Sequence, residues 1–232
     1  MTALSTRECI EVLDERAEFY RFLASLYYRE VSDDLIDRLS TLTLAEGEER
    51  SLFCQGYRQM KAYLVRRGPD PRTDLAVDYA RIFLSAGTFE GQAAVPYESI
   101  YTSEDGLIMQ EARDDVRRIY LEHGVNVDED LNMPEDHLSF ELEFMALMSV
   151  RSSDFLMRGR RFDLKSALET QIRFIEDHLE NWLPTLQDRI EDCAKLRFYP
   201  AVAKITRGYV QEDKALVHDM IGELRTLSLS SI

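Results

Sequence analysis

Apolar residues recur along most of this chain at the three- and four-residue intervals of an α-helix. The repeating positions are Leu13, Ala17, Tyr20, Ala24 and Tyr27 in the first segment, and Phe53, Tyr57, Met60 and Leu64 in the second. This spacing keeps the apolar side chains on one face of a helix. No segment shows the alternation that is typical of a half-buried strand. The pattern therefore predicts an all-α fold.

Seven further helices follow from the same periodicity. Their ranges are roughly 33–41, 72–84, 104–121, 135–157, 163–181, 185–195 and 201–226. Gly124 suits the end of a helix, and Pro134, Pro184 and Pro200 suit first turns.

The longest segment without helical spacing is SAGTFEGQAAVPYESIYT, residues 85–102. It carries the glycines, proline and aromatic residues Gly87, Gly91, Pro96, Phe89, Tyr97 and Tyr101. Irregular segments of this length inside a compact domain are usually functional or disordered. Because this one is aromatic and has few charges, we expect it to pack over a surface and line a groove; a plain interdomain linker is the alternative.

Composition limits the classes of partner. The chain has 232 residues, 45% of them hydrophobic, which is enough for a sizeable core. A net charge of -15 disfavours nucleic acid and anionic lipid and favours a cationic partner, although acidity can also serve solubility alone.

Location is also constrained by the sequence. No stretch reaches the roughly 18 apolar residues of a membrane span, and the charged N-terminus does not resemble a signal peptide, so we expect a cytoplasmic protein without membrane insertion. Cys9, Cys54 and Cys193 are widely spaced and form no CxxC pair. This indicates neither a disulfide framework nor a thiolate zinc site.

The tetrapeptide EDHL occurs twice, at residues 135–138 and 176–179. In the first copy His137 and Glu141 are four residues apart on a largely apolar helical face, so we expect Glu141 to orient or charge-stabilise His137. His178 in the second copy also lies within an apolar arc, which favours a core role over a site role. His137 stands at a helix start, where a binding role and a core role are both open.

Motifs for catalysis are missing. No histidine follows a glutamate at the Glu-x-x-His spacing of a bundle di-iron site, and HExxH, GxSxG, P-loop and GxGxxG motifs are absent. We therefore expect no catalytic residues, no metal and no cofactor. A nucleotide-hydrolysing or cofactor-handling enzyme is a weak alternative, because no phosphate cradle is present.

Five motifs resemble a known family. They are DYARIFL at 78–84, PYESIY at 96–101, GV followed after a gap by MPEDHLSFELEFM at 124–145, HLENWLP at 178–184 and FYPAVAKITRGYV at 198–210. In order and spacing they are similar to the TorD/DmsD family of cytoplasmic chaperones that mature molybdenum-containing redox enzymes. The resemblance spans most of the chain.

The resemblance implies a fold and two possible oligomeric states. It implies a single bundle-like, all-helical domain over 1–232, with an N-terminal part, 1–121, and a C-terminal part, 134–232. A hinge at 122–133 would join them and allow helices to exchange between chains, so that the protein is a monomer or a domain-swapped dimer.

The resemblance also implies a function and a partner. Members are not enzymes; they bind the twin-arginine signal peptide of a precursor, of the trimethylamine N-oxide or dimethyl sulfoxide reductase type, and hold it until cofactor insertion and export. Contact with the core of the precursor is a further expectation.

The residues that the resemblance and the helical pattern assign to peptide binding are Tyr79, Phe83, Pro96, Tyr97, Ser99, Tyr101, Pro134, Glu135, Asp136, His137 and Glu141. Met133 departs from the family pattern, which often has an acidic residue before the proline. That leaves Glu135 and Asp136 to pair with arginine.

The chemistry of the expected peptide fits this assignment. Glu135 and Asp136 would select the arginine pair, and Phe83, Tyr97 and Tyr101 would bury the apolar run. The first EDHL would then edge the groove while the second supports the fold, unless both line one groove. The competing function is a helical adaptor or assembly subunit that binds a folded redox-enzyme surface.

Overall fold

The computed structural model describes residues 5–43, 51–86, 93–128 and 131–229, with side chains to residue 224. Ten α-helices make up these ranges, and no strand occurs in them. They are α1 (Thr6–Tyr28), α2 (Asp33–Thr41), α3 (Leu52–Val65), α4 (Pro71–Phe83), α5 (Glu98–Thr102), α6 (Glu111–Glu122), α7 (Leu138–Met157), α8 (Arg161–His178), α9 (Leu183–Cys193) and α10 (Phe198–Leu229). The all-α prediction is confirmed.

Two helices begin later in the chain than predicted. The helix expected from residue 104 begins at Glu111, because Gly106 and Met109 hold positive φ angles of 62° and 63° that interrupt a right-handed helix. The helix expected from residue 135 begins at Leu138, because His137 has extended backbone and caps it. Pro134 therefore precedes the helix instead of lying in its first turn.

The segment predicted to be irregular contains a helix that the periodicity did not indicate. Helix α5 occupies Glu98–Thr102, inside the range 85–102. The expectations for Gly87, Phe89 and Gly91 fall outside the described residues. A five-residue helix is too short to show a repeating apolar face, so contacts from elsewhere in the chain must hold it.

Long-range packing joins helices that are far apart in sequence. Helix α1 packs along α7, and α3 packs against α10. One buried cluster contains residues from α1, α7 and α10. Among them, Tyr20, Leu142 and Tyr199 are each 0% exposed.

The proposed hinge at 122–133, of which 129–130 lie outside the described residues, stays a prediction. No helix in the described ranges is long and apolar enough to cross a membrane.

Candidate functional site

The first EDHL segment pairs with PYESIY through the backbone. Tyr97 and His137 form an isolated antiparallel bridge. The N–H of Glu98 donates to the carbonyl of Asp136 at 3.0 Å, and the N–H of Leu138 donates to the carbonyl of Pro96 at 2.9 Å. These contacts bring the starts of α5 and α7 side by side.

Asp136 holds the beginning of α5. Its Oδ2 accepts hydrogen bonds from the N–H of Ser99 at 2.9 Å and from the Ser99 hydroxyl at 2.5 Å. A carboxylate at this position satisfies a free N–H of the first turn and complements the helix dipole. Burial raises the pKa of Asp136, against the lowering effect of the Ser99 hydrogen bonds. Asp136 is fully buried, so it positions α5 in this conformation.

His137 caps α7 as a neutral side chain. Its Nδ1 accepts the N–H of Ser139 at 3.1 Å and contacts the Ser139 hydroxyl at 2.6 Å. Since Nδ1 is an acceptor, the proton of the neutral ring is on Nε2. Burial lowers the pKa of His137 to about 3. The expectation that Glu141 orients or charge-stabilises His137 is therefore wrong, because burial keeps the imidazole uncharged and neither oxygen of Glu141 is hydrogen-bonded to the ring.

The second EDHL segment meets the same short helix from the other side. His178 Nδ1 lies 3.0 Å from Glu98 Oε2, and Asn181 donates to Glu98 Oε1 at 2.7 Å. The indole of Trp182 donates to the carbonyl of His178 at 2.7 Å. Both EDHL copies thus hold PYESIY: Asp136 binds Ser99, and His178 binds Glu98. His178 is buried and also lines a groove at its edge.

A buried polar cluster lies beneath α5. It contains Glu98, Asp136 and Glu141, which are at most 1% exposed. Neither oxygen of Glu141, nor Asp136 Oδ1, nor the hydroxyl of Tyr120 has a hydrogen-bond partner of normal geometry among the described residues. Burial raises the pKa of Glu141 well above its ordinary value, and the negative charges of Glu98 and Asp136 raise it further. This environment therefore favours the protonated form of Glu141.

An open acidic groove of about 810 Å³ runs between α5, α6 and α8. Its acidic lining residues are Glu98, Glu104, Asp105, Glu111, Asp115, Glu122 and Asp177. Two arginines also line it: Arg118 is paired with Asp115 and Glu122 at 3.0 and 3.3 Å, and Arg173 donates a hydrogen bond to the Thr170 hydroxyl at 3.3 Å. Within the described ranges, the carboxylates of Glu104, Asp105, Glu111 and Asp177 form no ion pair. The groove therefore carries excess negative charge that is accessible to solvent.

Sequence reasoning missed this groove although one signal was present. Glu111, Asp115, Arg118 and Glu122 follow one another at three- and four-residue steps, which predicts a charged stripe on one face of α6. What the stripe could not indicate is that α5 and the end of α8 stand opposite it.

A second groove, of about 850 Å³, lies on the other face of α6. Its apolar lining residues are Ile108, Met109, Tyr120, Leu121, Val125, Val127, Met133 and Pro134. We call it the apolar groove. Glu135 lies in it between Arg113, at 2.6 Å, and Arg117, at 3.2 Å, and Arg113 also pairs with Asp114 at 2.9 Å.

The residues predicted to bind peptide fall into different environments. Pro134 and Glu135 line the apolar groove. Those buried around α5 are Pro96, Ser99, Asp136, His137 and Glu141, while Tyr97 and Tyr101 are half-buried. The Tyr101 ring stacks on Trp182 with centroids 5.2 Å apart, and Arg189 lies 4.8 Å from its centroid.

Tyr79 and Phe83 lie apart from both grooves. They belong to an aromatic cluster with Tyr27 and Tyr199, in which the Phe83 and Tyr199 centroids are 5.4 Å apart. The Tyr79 hydroxyl donates to the carbonyl of Tyr27 at 2.8 Å. A binding role for these two residues stays a prediction.

No group of histidine, cysteine, aspartate and glutamate side chains in the described ranges is arranged to hold a metal ion.

Comparison with known proteins gives one consistent result. A family model described as "Nitrate reductase delta subunit" matches residues 48–188. The chain is 30% identical over 221 residues to "Chaperone protein TorD" of Vibrio cholerae serotype O1, covering 92% of this chain and 97% of that protein. It is 27% identical over 208 residues to the protein of that name from Vibrio parahaemolyticus, covering 87% and 94%. A third, from Photobacterium profundum, is 26% identical over 223 residues, with 91% and 98% covered.

Proposed function

Because the chain belongs to the TorD family of chaperones, we propose that it binds the twin-arginine signal peptide of a molybdenum-containing oxidoreductase precursor. The client is of the trimethylamine N-oxide or dimethyl sulfoxide reductase type. In the cytoplasm the chaperone holds the signal peptide until the cofactor is inserted and the precursor is ready for export. The function is that of a chaperone and not of an enzyme.

The observation that carries this proposal is the acidic groove. Four of its carboxylates form no ion pair among the described residues, so an incoming guanidinium does not have to displace an existing cation. Arginine binds carboxylates through paired, directional hydrogen bonds. The excess negative charge also attracts a basic peptide from a distance and speeds its association.

The two EDHL segments position one wall of this groove, and Asp177 and His178 of the second segment also line it directly. Asp136 and His178 fix Ser99 and Glu98, and Glu98 and Thr102 of α5 form one wall of the acidic groove. We assign Asp136 a positioning role, since its carboxylate is buried and engaged with Ser99. Glu104 and Asp105, which are exposed in the turn after α5, contact the arginine side chains.

The test is calorimetric titration with peptides that carry an arginine pair followed by an apolar run. The double substitution Glu104→Gln with Asp105→Asn removes two unpaired charges of the groove. Exposed ion pairs contribute about 0.2–1 kcal/mol each, so affinity should fall roughly twofold to thirtyfold at low salt. The salt dependence of binding should become shallower.

The matched control is Asp14→Asn with Glu15→Gln. Both control residues are exposed on α1, do not line the groove, and change the net charge by the same amount. Equal weakening in both double variants would mean that only net charge matters. Absence of saturable binding to any twin-arginine peptide would refute the proposed function and leave the adaptor that binds a folded redox-enzyme surface.

A further inference from the structure

The apolar groove presents apolar surface that the fold leaves uncovered. Ile108, Met109 and Leu121 line it and are 46%, 54% and 48% exposed, and the neighbouring Leu107 is 57% exposed. Single exposed apolar residues are ordinary on a soluble protein, but a contiguous group beside a concave surface indicates a docking site. Leu107, Ile108 and Met109 are consecutive, so the group is contiguous.

The two grooves lie on opposite faces of helix α6, and at its N-terminal end consecutive residues line one groove and then the other. Ile108 and Met109 line the apolar groove, and the next two residues, Gln110 and Glu111, line the acidic groove. A helix with its side chains is about 10 Å wide. An extended peptide advances about 3.3 Å per residue, so about three residues span the distance from one groove to the other.

Charge divides the two surfaces. The acidic groove has unpaired carboxylates, while the charged residues that line the apolar groove, Arg113, Arg117, Asp128 and Glu135, are two cations and two anions and carry no net charge. A ligand that fills both grooves must be cationic at one end and apolar at the other. A second copy of this chain, with its net charge of -15, does not offer that cationic end.

We propose that the apolar groove binds the apolar run of the same peptide whose arginine pair occupies the acidic groove. This inference rests on the proposed function and assigns each half of the peptide to one side of α6. Met109 suits such a surface because its unbranched side chain adapts to ligands of varied shape. The peptide crosses at residues 109–110, with about three residues between its arginine pair and the apolar side chains that enter the groove.

The test uses the double variant Ile108→Ser with Leu121→Ser. Both residues are exposed, so the substitutions should leave the fold intact, which thermal unfolding checks. Phe162→Ser is the matched control, because Phe162 is 85% exposed on α8 and lines neither groove. The probes are one peptide with an arginine pair and an apolar run, and a second in which serine replaces the apolar run.

Calorimetry on the four combinations gives a double-mutant cycle. Burying an aliphatic side chain is worth about 1.5 kcal/mol or more, so the groove variant should bind the first peptide at least tenfold more weakly than wild type. The control should bind it as wild type does. The serine peptide should bind wild type and the groove variant with equal affinity. Because it lacks the apolar run, it makes no apolar contact with Ile108 or Leu121 that the substitutions could remove.

Three outcomes would overturn the inference. Equal affinity of wild type and groove variant for the first peptide would remove the apolar groove from the site while leaving the proposed function intact. Failure of wild type to bind the first peptide at all would refute both. A concentration-dependent dimer in sedimentation that the groove variant loses would assign the groove to a second copy of the chain.

Discussion

At the scale of single residues, the decisive feature is the set of acids that the fold buries beneath α5. Glu141 has no hydrogen-bond partner of normal geometry among the described residues, and its neighbours Glu98 and Asp136 are acidic as well. An ionised carboxylate in this environment is costly, so burial and the neighbouring negative charges favour the protonated form of Glu141. The fold tolerates this cluster because Ser99, His178 and Asn181 satisfy the other two acids in part.

The raised pKa of Glu141 predicts a pH-dependent difference between wild type and Glu141→Gln. Above the unfolded-state pKa near 4.5, the unfolded chain releases a proton that the folded chain keeps, so wild-type stability falls as pH rises through the window up to the folded pKa. Glutamine is neutral in both states. The free energy of unfolding of Glu141→Gln minus that of wild type should therefore increase with pH, by up to about 1.4 kcal/mol per pH unit.

Urea unfolding between pH 5 and pH 8 measures this difference. His137, whose pKa is lowered to about 3, acts in the opposite direction, because it destabilises the folded state as pH falls below about 6.5. Since His137 is present in both proteins, its contribution cancels in the difference between them. Glu18→Gln, an exposed site on α1, is the control and should show no such trend. Parallel pH profiles for wild type and Glu141→Gln would contradict the assignment of a neutral Glu141.

At the scale of helices, the contact between α3 and α10 depends on two glycines. A Cβ atom added at Gly208 would lie 2.3 Å from the backbone nitrogen of Phe53, and one at Gly56 would lie 2.8 Å from the carbonyl oxygen of Ala201. Both obstacles are backbone atoms, which cannot move aside as a flexible side chain does. The helices therefore approach more closely than any other residue at these positions would permit.

This contact predicts opposite effects for two similar substitutions in α10. Gly208→Ala should destabilise the protein by about 1–3 kcal/mol or more, because the helices must separate. Gly222→Ala should stabilise it by up to about 1 kcal/mol, since a Cβ there meets open space and alanine favours a helix. Denaturant unfolding of both variants is the measurement, and a stabilising Gly208→Ala would show that the two helices are not in this contact.

At the scale of the whole molecule, one buried arginine joins four helices. Arg16 of α1 pairs with Asp213 of α10 at 2.5 Å and donates to Ser149 of α7 and Gln171 of α8 at 3.0 and 2.8 Å. Tyr20 adds a 2.7 Å hydrogen bond to Asp213. Arg16 and Asp213 are 3% and 1% exposed in their side chains, so each would be an uncompensated buried charge without the other.

The predicted consequence is a strongly non-additive pair of substitutions. Arg16→Met should cost about 3–5 kcal/mol, because Asp213 then remains charged and unpaired. The double variant Arg16→Met with Asp213→Leu should recover much of that loss, since no isolated charge remains. Urea unfolding of the single and double variants tests this, and simple additivity would argue against a direct pair.

The sequence predicted the local architecture well because helices are encoded by neighbouring residues. The stripe of Leu13, Ala17 and Tyr20 is enough to indicate α1, since the three- and four-residue spacing acts within one turn. The predicted start of α6 is wrong because a hydrophobic pattern does not indicate the left-handed backbone conformations of Gly106 and Met109. Helix α5 was missed because tertiary contacts hold it.

The candidate site was predictable in part for the same reason. The sequence identified PYESIY and both EDHL segments as important, and the structure brings all three together. It assigned Asp136 to direct contact with arginine, whereas the folded chain buries that carboxylate against Ser99. Burial depends on what packs from elsewhere in the chain, and no spacing rule within a segment reports it.

The sequence by itself thus determined the helical class and the family resemblance, and it marked the short motifs, because each rests on residues close together in the chain. Only the tertiary structure decided that Asp136 and His178 bind the same helix, α5, and that α6 separates an acidic groove from an apolar one. It also decided that Tyr79 and Phe83 lie in an aromatic cluster with Tyr27 and Tyr199. Those features arise where segments far apart in sequence meet, and their geometry is set by packing and charge between segments.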